Sequence, residues 1–266
     1  MPQTAKKRRA VESAVGRNAI TRCNPKARKH GSHGQCLPIK LPTVPGCASE
    51  DEHCRLDAAS IPEAEKRRLR KEYLRPRYPV EWKNDPDMWL SNYDIEAVMK
   101  QYQEADPTFK FAGIFPIDFS APDPYRKDVV QCLHPELCNL DLKAERARGI
   151  RHIGMVFNLD PHFKGGSHWM ALYVCLRGQP WAAFFDSYGY QTPPLIARLM
   201  RSFRRQLPGM KLMYNARRFQ YGGTECGVYS IYFLITMMAG MSFAKFCKHA
   251  VPDGEMLRLR KILFSA

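Results

Sequence analysis

The loop and apolar run at residues 221–235, YGGTECGVYSIYFLI, make the strictest demand on any fold of this chain. The run after Cys226 is apolar on every side, so a helix formed by it has to be buried completely. A glycine-bearing turn sets Cys226 in the first turn of that helix, where unpaired N–H groups stabilise a thiolate. A cysteine before an apolar helix is also common in protein cores. Cys226 therefore needs partners elsewhere in the chain if it is a nucleophile.

Short apolar segments upstream of this loop predict a sheet. RHIGMVFNL, HWMALYVCL and WAAFFDS have the length and composition of buried strands, and DPHFKGGS and RGQP separate them. Helical spacing is found before them, at 89–102, and after them, at about 194–206 and in DGEMLRLRKILF. The order of helix, sheet and further helices predicts the α+β class.

The first third of the chain is strongly basic. Residues 1–80 hold 18 of the 41 lysines and arginines but only 8 of the 26 acidic residues, so +10 of the formal net charge of +15 lies there. We divide the chain into a basic, partly flexible N-terminal arm at 1–84, with a helix at about 61–74, and a catalytic core at 85–266. The charge would attract nucleic acid, an acidic protein or an anionic surface. No base-reading motif accompanies it, so a merely solvated arm stays open.

Cysteine use indicates the compartment. The nine cysteines are irregularly spaced, and the chain shows neither a signal-peptide core nor a membrane-length apolar run of ~20 residues. These features predict free thiols and a reducing compartment. Thiol and imidazole groups in and just after the arm suit zinc, but their spacing matches no familiar finger, so we expect no metal site at Cys23, His30, His33, Cys36, Cys47, His53 and Cys54.

A thiolate nucleophile needs a base, a group that orients the base, and donors for the oxyanion. His168 stands where the loop FKGGS enters an apolar strand, so it can face a cleft while the strand stays buried. Asp186 ends the next strand, and a hairpin would bring it to the same edge, where it would hold the Nδ1–H of His168. Gln220 lies six residues before Cys226, and its amide would donate to the oxyanion beside the Cys226 backbone N–H.

Taken singly, these residues indicate little. A histidine at a strand edge is usually a solvated or satisfied side chain, and an aspartate after an apolar run is usually a turn residue. GGSHW, FFDS and QYGGTECGVYS occur together in one chain, however, in the order His, Asp, Gln, Cys. That combination indicates nucleophilic catalysis by Cys226.

The same motifs resemble a known group of enzymes. GGSHWMALYVCLRGQPW, FFDSYGYQTPP and TECGVYS are similar to the cysteine proteases that include the SUMO-specific proteases and the adenovirus protease. The likeness is greatest to the polyprotein-processing proteases of African swine fever virus and related nucleocytoplasmic large DNA viruses. It runs from about residue 82 to residue 266, with a weaker extension into the arm. It implies a papain-like α+β core that needs no metal or organic cofactor.

The resemblance implies a role for each motif residue. Cys226 would be the nucleophile, His168 the general base and then the acid, and Gln220 the oxyanion donor. Asp186 would complete the triad. The African swine fever virus enzyme looks to have asparagine at that position, whereas the SUMO proteases have aspartate, and either side chain orients an imidazole.

Two tryptophans are further site residues that the resemblance implies. In SUMO proteases a pair of tryptophans clamps the Gly-Gly of the substrate, and Trp169 and Trp89 stand in the matching motifs HWMALYV and WLSNYDI. Two flat rings leave a slot too narrow for a residue with a Cβ, which explains a demand for glycine. Ordinary core packing is the alternative for both tryptophans, and the motif favours the clamp more for Trp169 than for Trp89.

We therefore expect a cysteine endopeptidase that cleaves after Gly-Gly in viral structural polyproteins during virion maturation, in the virion and the host cytoplasm. A SUMO- or ubiquitin-type isopeptidase acting on host conjugates uses the same chemistry and stays an alternative. A basic nucleic-acid-binding virion protein is an alternative of another class. Acetyl transfer is a fourth, and the lack of an acyl-CoA phosphate-binding pattern counts against it. Non-specific nucleic acid is the second expected partner, through the basic arm.

Overall fold

The structure is a computed structural model, which describes residues 44–48, 51–85, 87–122, 125–126 and 132–265. The basic segment before residue 44, including Cys23, His30, His33 and Cys36, lies outside these ranges.

A five-stranded sheet forms the centre of the molecule, with its strands in chain order. The three predicted strands are all present, and the sheet consists of β1 (Phe109–Pro116), β2 (His152–Asn158), β3 (Trp169–Cys175), β4 (Trp181–Phe185) and β5 (Lys211–Tyr214). Strands β2, β3 and β4 pair antiparallel, whereas the edge strands β1 and β5 each pair in parallel with their neighbours. The β3–β4 hairpin fixes the relative positions of the residues at its ends.

Helices cover both faces of the sheet, which confirms the α+β class. The described helices are α1 (Glu52–Asp57), α2 (Glu63–Tyr73), α3 (Asn92–Ala105), α4 (Pro135–Cys138), α5 (Leu142–Ala147), α6 (Pro194–Gln206), α7 (Cys226–Met238), α8 (Phe243–Lys248) and α9 (Asp253–Leu263), with a 3-10 turn at Val80–Lys83. Helices α3, α7, α8 and α9 share one core cluster, and α4, α5 and α6 share the other.

Alternation along β3 shows how one strand serves both clusters. Ala171 and Tyr173 belong to the α7 cluster, and Met170 and Leu172 belong to the α6 cluster. Helix α7 is buried from Cys226 to Met237, as its uniform apolar sequence predicts. A helix buried so completely cannot shift without disturbing the sheet beneath it, so its first residue is held rigidly.

The part of the arm region that the structure describes packs on the C-terminal segment. The predicted helix is present as α2, and it begins after Pro62 without a side-chain cap. Tyr78 N donates to Ser265 O at 2.9 Å, and Ser265 N donates to Pro76 O at 2.9 Å. The Trp82 ring meets Phe264 edge-on at 5.2 Å. The residues just before position 84 are thus bound to the last residues of the core.

The expectation of free thiols is wrong at four cysteines. Disulfides join Cys47 to Cys54 and Cys132 to Cys138, with Cα–Cα separations of 5.7 and 6.5 Å. Helices α1 and α4 fold the chain back over six or seven residues, which brings each pair within bonding range. In the described part of the chain Cys175, Cys226 and Cys247 are free. With four cysteines in disulfides, thiol content no longer indicates a reducing compartment.

The Cys47–Cys54 disulfide also removes two of the zinc ligands considered above. His53 Nε2 instead contacts Arg75 O at 2.8 Å. Among the described residues, no group of three or more His, Cys, Asp or Glu side chains is arranged to hold a metal ion. A search of the same residues finds no helix with the length and hydropathy that crossing a bilayer requires.

Candidate active site

The β3–β4 hairpin brings His168 and Asp186 together. His168 directly precedes β3 and Asp186 directly follows β4, so antiparallel pairing sets both at one edge of the sheet. His168 Nε2 lies 3.1 Å from Asp186 Oδ1, and both side chains are buried. The expectation that Nδ1 would face Asp186 is wrong, because the ring presents Nε2 to the carboxylate. This orientation leaves Nδ1 as the nitrogen available to a thiol.

The surroundings of His168 favour its charged form. Burial alone would lower its pKa, but hydrogen bonds to Asp186 and Cys226, together with their negative charges, raise the pKa to about 9. The Tyr188 ring lies 4.9 Å from the imidazole, and Tyr188 N donates to Asp186 Oδ1 at 2.7 Å. The contact with the Asp186 carboxylate therefore favours the imidazolium form of His168.

Cys226 is the first residue of α7 and is buried. Glycine suits the next position, because a Cβ on Gly227 would lie 3.1 Å from Leu90 Cβ and 3.2 Å from Trp169 Cδ1, which is tighter than ordinary contact. This close approach packs the helix start against the segment that carries Trp169. The sulfur is therefore positioned by the packing of α7.

Gln220 lies on the loop before Cys226 and is fully buried. Its Oε1 accepts from Ser187 Oγ at 2.6 Å, and its Nε2 donates to Gly222 O at 3.0 Å. An amide nitrogen carries two hydrogens, and the bond to Gly222 uses one of them. Ser187 fixes the amide with its nitrogen in the donor position.

A groove lies next to this cluster. It has a volume of about 570 Å³, and both predicted clamp residues line it. Trp89 is 41% exposed, whereas Trp169 is buried and its Nε1 donates to Leu90 O at 2.8 Å. The floor and rim include Asn158, Asp160, His162, Lys164 and Gly166. The structure thus brings all six predicted residues to one region, with Trp169 both a wall of the groove and part of the core.

Sequence reasoning missed several residues that hold this cluster. Asn215 is fully buried, its Oδ1 accepts from Asp186 N at 2.9 Å, and its Nδ2 donates to Asp186 O at 2.6 Å. Ser187 and Tyr188 directly follow the predicted Asp186 and contact Gln220 and His168. The motif FFDSYGY contains Ser187 and Tyr188, but nothing in the sequence around Asn215 distinguishes it from a turn residue.

Comparison with known proteins identifies relatives with the same type of chemistry. The R355 protein of Acanthamoeba polyphaga mimivirus, named as a candidate thiol protease, is 30% identical over 181 residues, which are 66% of this chain and 56% of R355. The SUMO-1 cysteine protease S273R of African swine fever virus, Kenya isolate, is 28% identical over 191 residues, 66% of this chain and 67% of S273R. The chain thus matches little more than half of R355. No protein-family model matches it.

A solved structure shares the fold. The crystal structure of the African swine fever virus pS273R protease superposes with a TM-score of 0.66 at 22% identity, over 82% of this chain and 83% of that one. The sequence relatives and this common fold agree with the resemblance seen in the motifs. The chain is therefore similar in sequence to viral cysteine proteases, and it shares the fold of the pS273R protease.

Proposed function

We propose that the protein is a cysteine endopeptidase that cleaves after Gly-Gly in viral structural polyproteins during virion maturation. The observation that carries this proposal is the position of His168, whose Nε2 lies 3.1 Å from Asp186 Oδ1 while the nearby Cys226 helps to raise the pKa of the ring. A thiol, a base and an orienting carboxylate in contact are the requirement for nucleophilic acyl transfer. We also propose that the protein is located in the virion and the host cytoplasm, because its sequence relatives are viral proteins.

In the first half of the reaction the Cys226 thiolate attacks the carbonyl carbon of the scissile peptide bond. The oxyanion that forms accepts hydrogen bonds from the Gln220 side-chain amide and the Cys226 backbone N–H. The imidazolium of His168 then gives its Nδ1 proton to the leaving amine. The C–N bond breaks, and the acyl group remains on Cys226 as a thioester.

In the second half water replaces the amine. His168, now neutral, takes a proton from the water as its oxygen attacks the thioester carbonyl. The same donors stabilise the second oxyanion, and the C–S bond breaks to regenerate the thiolate. Asp186 keeps the ring in position and stabilises its positive charge in both halves.

The groove supports specificity for Gly-Gly. Trp89 and Trp169 line it close to the start of α7, and a substrate that passes between two aromatic rings has little room for a Cβ. The partner is thus an extended polyprotein segment with two consecutive glycines. Nucleic acid is a second proposed partner, through the basic arm, and salt-dependent DNA binding that is lost when residues 1–43 are deleted would support it.

The experiment that tests the function is peptide cleavage by the purified full-length protein beside its Cys226→Ala variant. The substrates are Gly-Gly-Xaa peptides, matched Gly-Ala-Xaa peptides and a fusion to the SUMO C-terminus. We expect cleavage after Gly-Gly only, abolished by the substitution. Cleavage of the fusion but of no short peptide would make the protein a SUMO-type isopeptidase, and cleavage of Gly-Ala peptides at equal rates would refute the clamp.

A further inference from the structure

Helix α9 contributes no residue to the chemistry proposed above, yet two of its charged side chains contact the loop at 220–226. Asp253 and Arg260 are seven residues apart, so they lie on one face of the helix about 10 Å from each other. Asp253 contacts the start of the loop and Arg260 contacts its end. The helix therefore holds both ends of the segment that carries Gln220 and Cys226.

Asp253 fixes the oxyanion end of the loop. Its Oδ2 accepts from the backbone N–H groups of Tyr221 at 3.0 Å and Gly222 at 2.9 Å. Its Oδ1 accepts from the hydroxyl of Tyr229 on α7 at 2.9 Å. Gly222 O in turn accepts from Gln220 Nε2. Asp253 thus fixes the backbone of Gly222, whose carbonyl in turn holds the Gln220 side-chain amide.

Arg260 fixes the nucleophile end. Its Nη2 lies 2.8 Å from Glu225 Oε1 and its Nε lies 3.3 Å from Glu225 Oε2, a two-point contact between side chains that are each 3% exposed. Glu225 directly precedes Cys226 in the chain. Arg260 Nη1 also donates to Met88 O at 2.5 Å, next to Trp89. The Arg260 guanidinium therefore links Glu225, which precedes Cys226, to Met88, which precedes Trp89.

Stability is a poor explanation for this arrangement. A buried ion pair gains little over apolar side chains of the same size, because desolvation of both charges offsets their attraction. The Arg260 guanidinium is further enclosed by the Trp82 ring, 4.4 Å from its Cζ. What an ion pair provides that apolar packing does not is a fixed direction for each bond.

We propose that Asp253 and Arg260 are positioning residues, which set the Gln220 amide and the Cys226 sulfur at the distances that acyl transfer requires. The inference rests on the proposed function. Displacement of a reacting group by about 1 Å costs on the order of 100-fold in rate. Loss of either contact should therefore lower kcat, and loss of the Asp253 contact should do so while the groove and its affinity for substrate are retained.

Three substitutions that keep side-chain volume or charge test the proposal, with a control on the same helix. They are Asp253→Asn, Glu225→Gln and Arg260→Lys, and the control is Arg258→Met, which changes an exposed residue beside Glu255. The measurements are kcat and KM on a Gly-Gly peptide, the rate of Cys226 alkylation by iodoacetamide, and the melting temperature.

The two ends of the loop predict different results. Asp253→Asn should lower kcat about 10- to 100-fold, with KM within about 3-fold and the alkylation rate unchanged, because alkylation forms no oxyanion. Glu225→Gln and Arg260→Lys should lower both kcat and the alkylation rate, because the sulfur itself is displaced. Arg258→Met should match the wild type in all three.

The proposal is overturned if folded variants keep wild-type kcat, or if kcat per titrated Cys226 thiol is unchanged. If one variant fails to fold, the others still test the proposal, because Arg260→Lys keeps the charge and Asp253→Asn keeps the volume. If the wild type is alkylated at Cys226 but cleaves no peptide, the proposed function fails. The alkylation rates of Arg260→Lys and Arg258→Met then still decide the nucleophile half.

Discussion

The two halves of the candidate site are held in place by different means. His168 and Asp186 sit at the ends of β3 and β4, so the backbone ladder of a buried hairpin sets their separation. Gln220 and Cys226 lie at the two ends of a loop, and side chains of other elements hold that loop. The strand-held half is fixed by sheet register, and the loop-held half is fixed by specific polar contacts. The first is robust to surface substitutions, whereas the second depends on a few buried groups.

Removal of the strand-held base should give the largest effect among these side chains. His168→Ala leaves the register of the hairpin intact, but it removes the proton carrier of both reaction steps. We expect kcat/KM to fall by about 10⁴-fold or more, measured on a Gly-Gly peptide. His249→Ala is the matched control, because His249 is exposed and bonds only Lys245 O by Nδ1. A loss below about tenfold for His168→Ala would exclude it as the base.

Removal of the loop-held oxyanion donor should cost less. Gln220→Ala deletes one of two N–H donors, so the reaction continues on the Cys226 backbone N–H alone. We expect kcat to fall about 10²- to 10³-fold with KM nearly unchanged. Gln179→Ala, in the exposed β3–β4 turn, is the control. A change in KM with kcat preserved would show that Gln220 contacts substrate in the ground state instead.

The charge on Asp186 should appear in the pH dependence. The wild-type pKa of His168 is raised to about 9, so the imidazolium should persist to that pH and the rate should fall above it. Asp186→Asn keeps an oxygen that accepts from both His168 and Tyr188 but removes the negative charge. The alkaline limit of kcat/KM should therefore move to lower pH, while activity at neutral pH falls by less than in His168→Ala. Asp57→Asn, at an exposed position of α1, should leave the profile unchanged.

The raised pKa of His168 also makes the stability of the fold depend on pH. The folded pKa of about 9 lies above the ordinary value of 6.5, so the charged histidine contributes most below pH 6.5 and this contribution disappears as the pH rises through 9. Denaturant unfolding at pH 6 and pH 10 should show a smaller difference in Asp186→Asn than in the wild type. An equal difference in both proteins would remove Asp186 as the cause.

The difference between the two halves also explains what the sequence could predict. The apolar strands, the RGQP turn and the uniformly apolar α7 follow from pattern and length, and they place His168 and Asp186 at one edge. The orientation of the His168 ring does not follow, because register fixes a Cα and leaves χ angles free. The disulfides at Cys47–Cys54 and Cys132–Cys138 were missed for a similar reason, since short helical turns decide which thiols meet.

The contacts that hold the loop could not be predicted, with one exception. Helix α9 has an apolar stripe at Met256, Leu259 and Leu263, and Arg260 falls on that same buried face. A charged residue on a buried stripe needs a buried partner, which is a usable signal. Asp253 and Asn215 offer none, because polar residues at the start of a helix or after a strand are usual there.

The smallest effect on rate should come from Asn215, which joins the two halves. Its side chain accepts from Asp186 N and donates to Asp186 O. It also donates to Arg217 O at 3.0 Å, in the segment that leads to Gln220. Asn215→Ala leaves the buried backbone N–H of Asp186 without a partner, while Asp186 O keeps its hydrogen bond from Gly189 N. We expect a loss of about 1–3 kcal/mol in the free energy of unfolding.

The fall in kcat for Asn215→Ala should stay below about tenfold, because the hairpin still fixes His168 and α9 still holds the loop. Asn139→Ala, at the exposed end of α4, serves as the control for both measurements. A fall in kcat as large as that of Gln220→Ala would mean that the halves are not held independently. Asn215 would then be the contact through which the sheet positions the loop, and the contacts from α9 would be secondary to it.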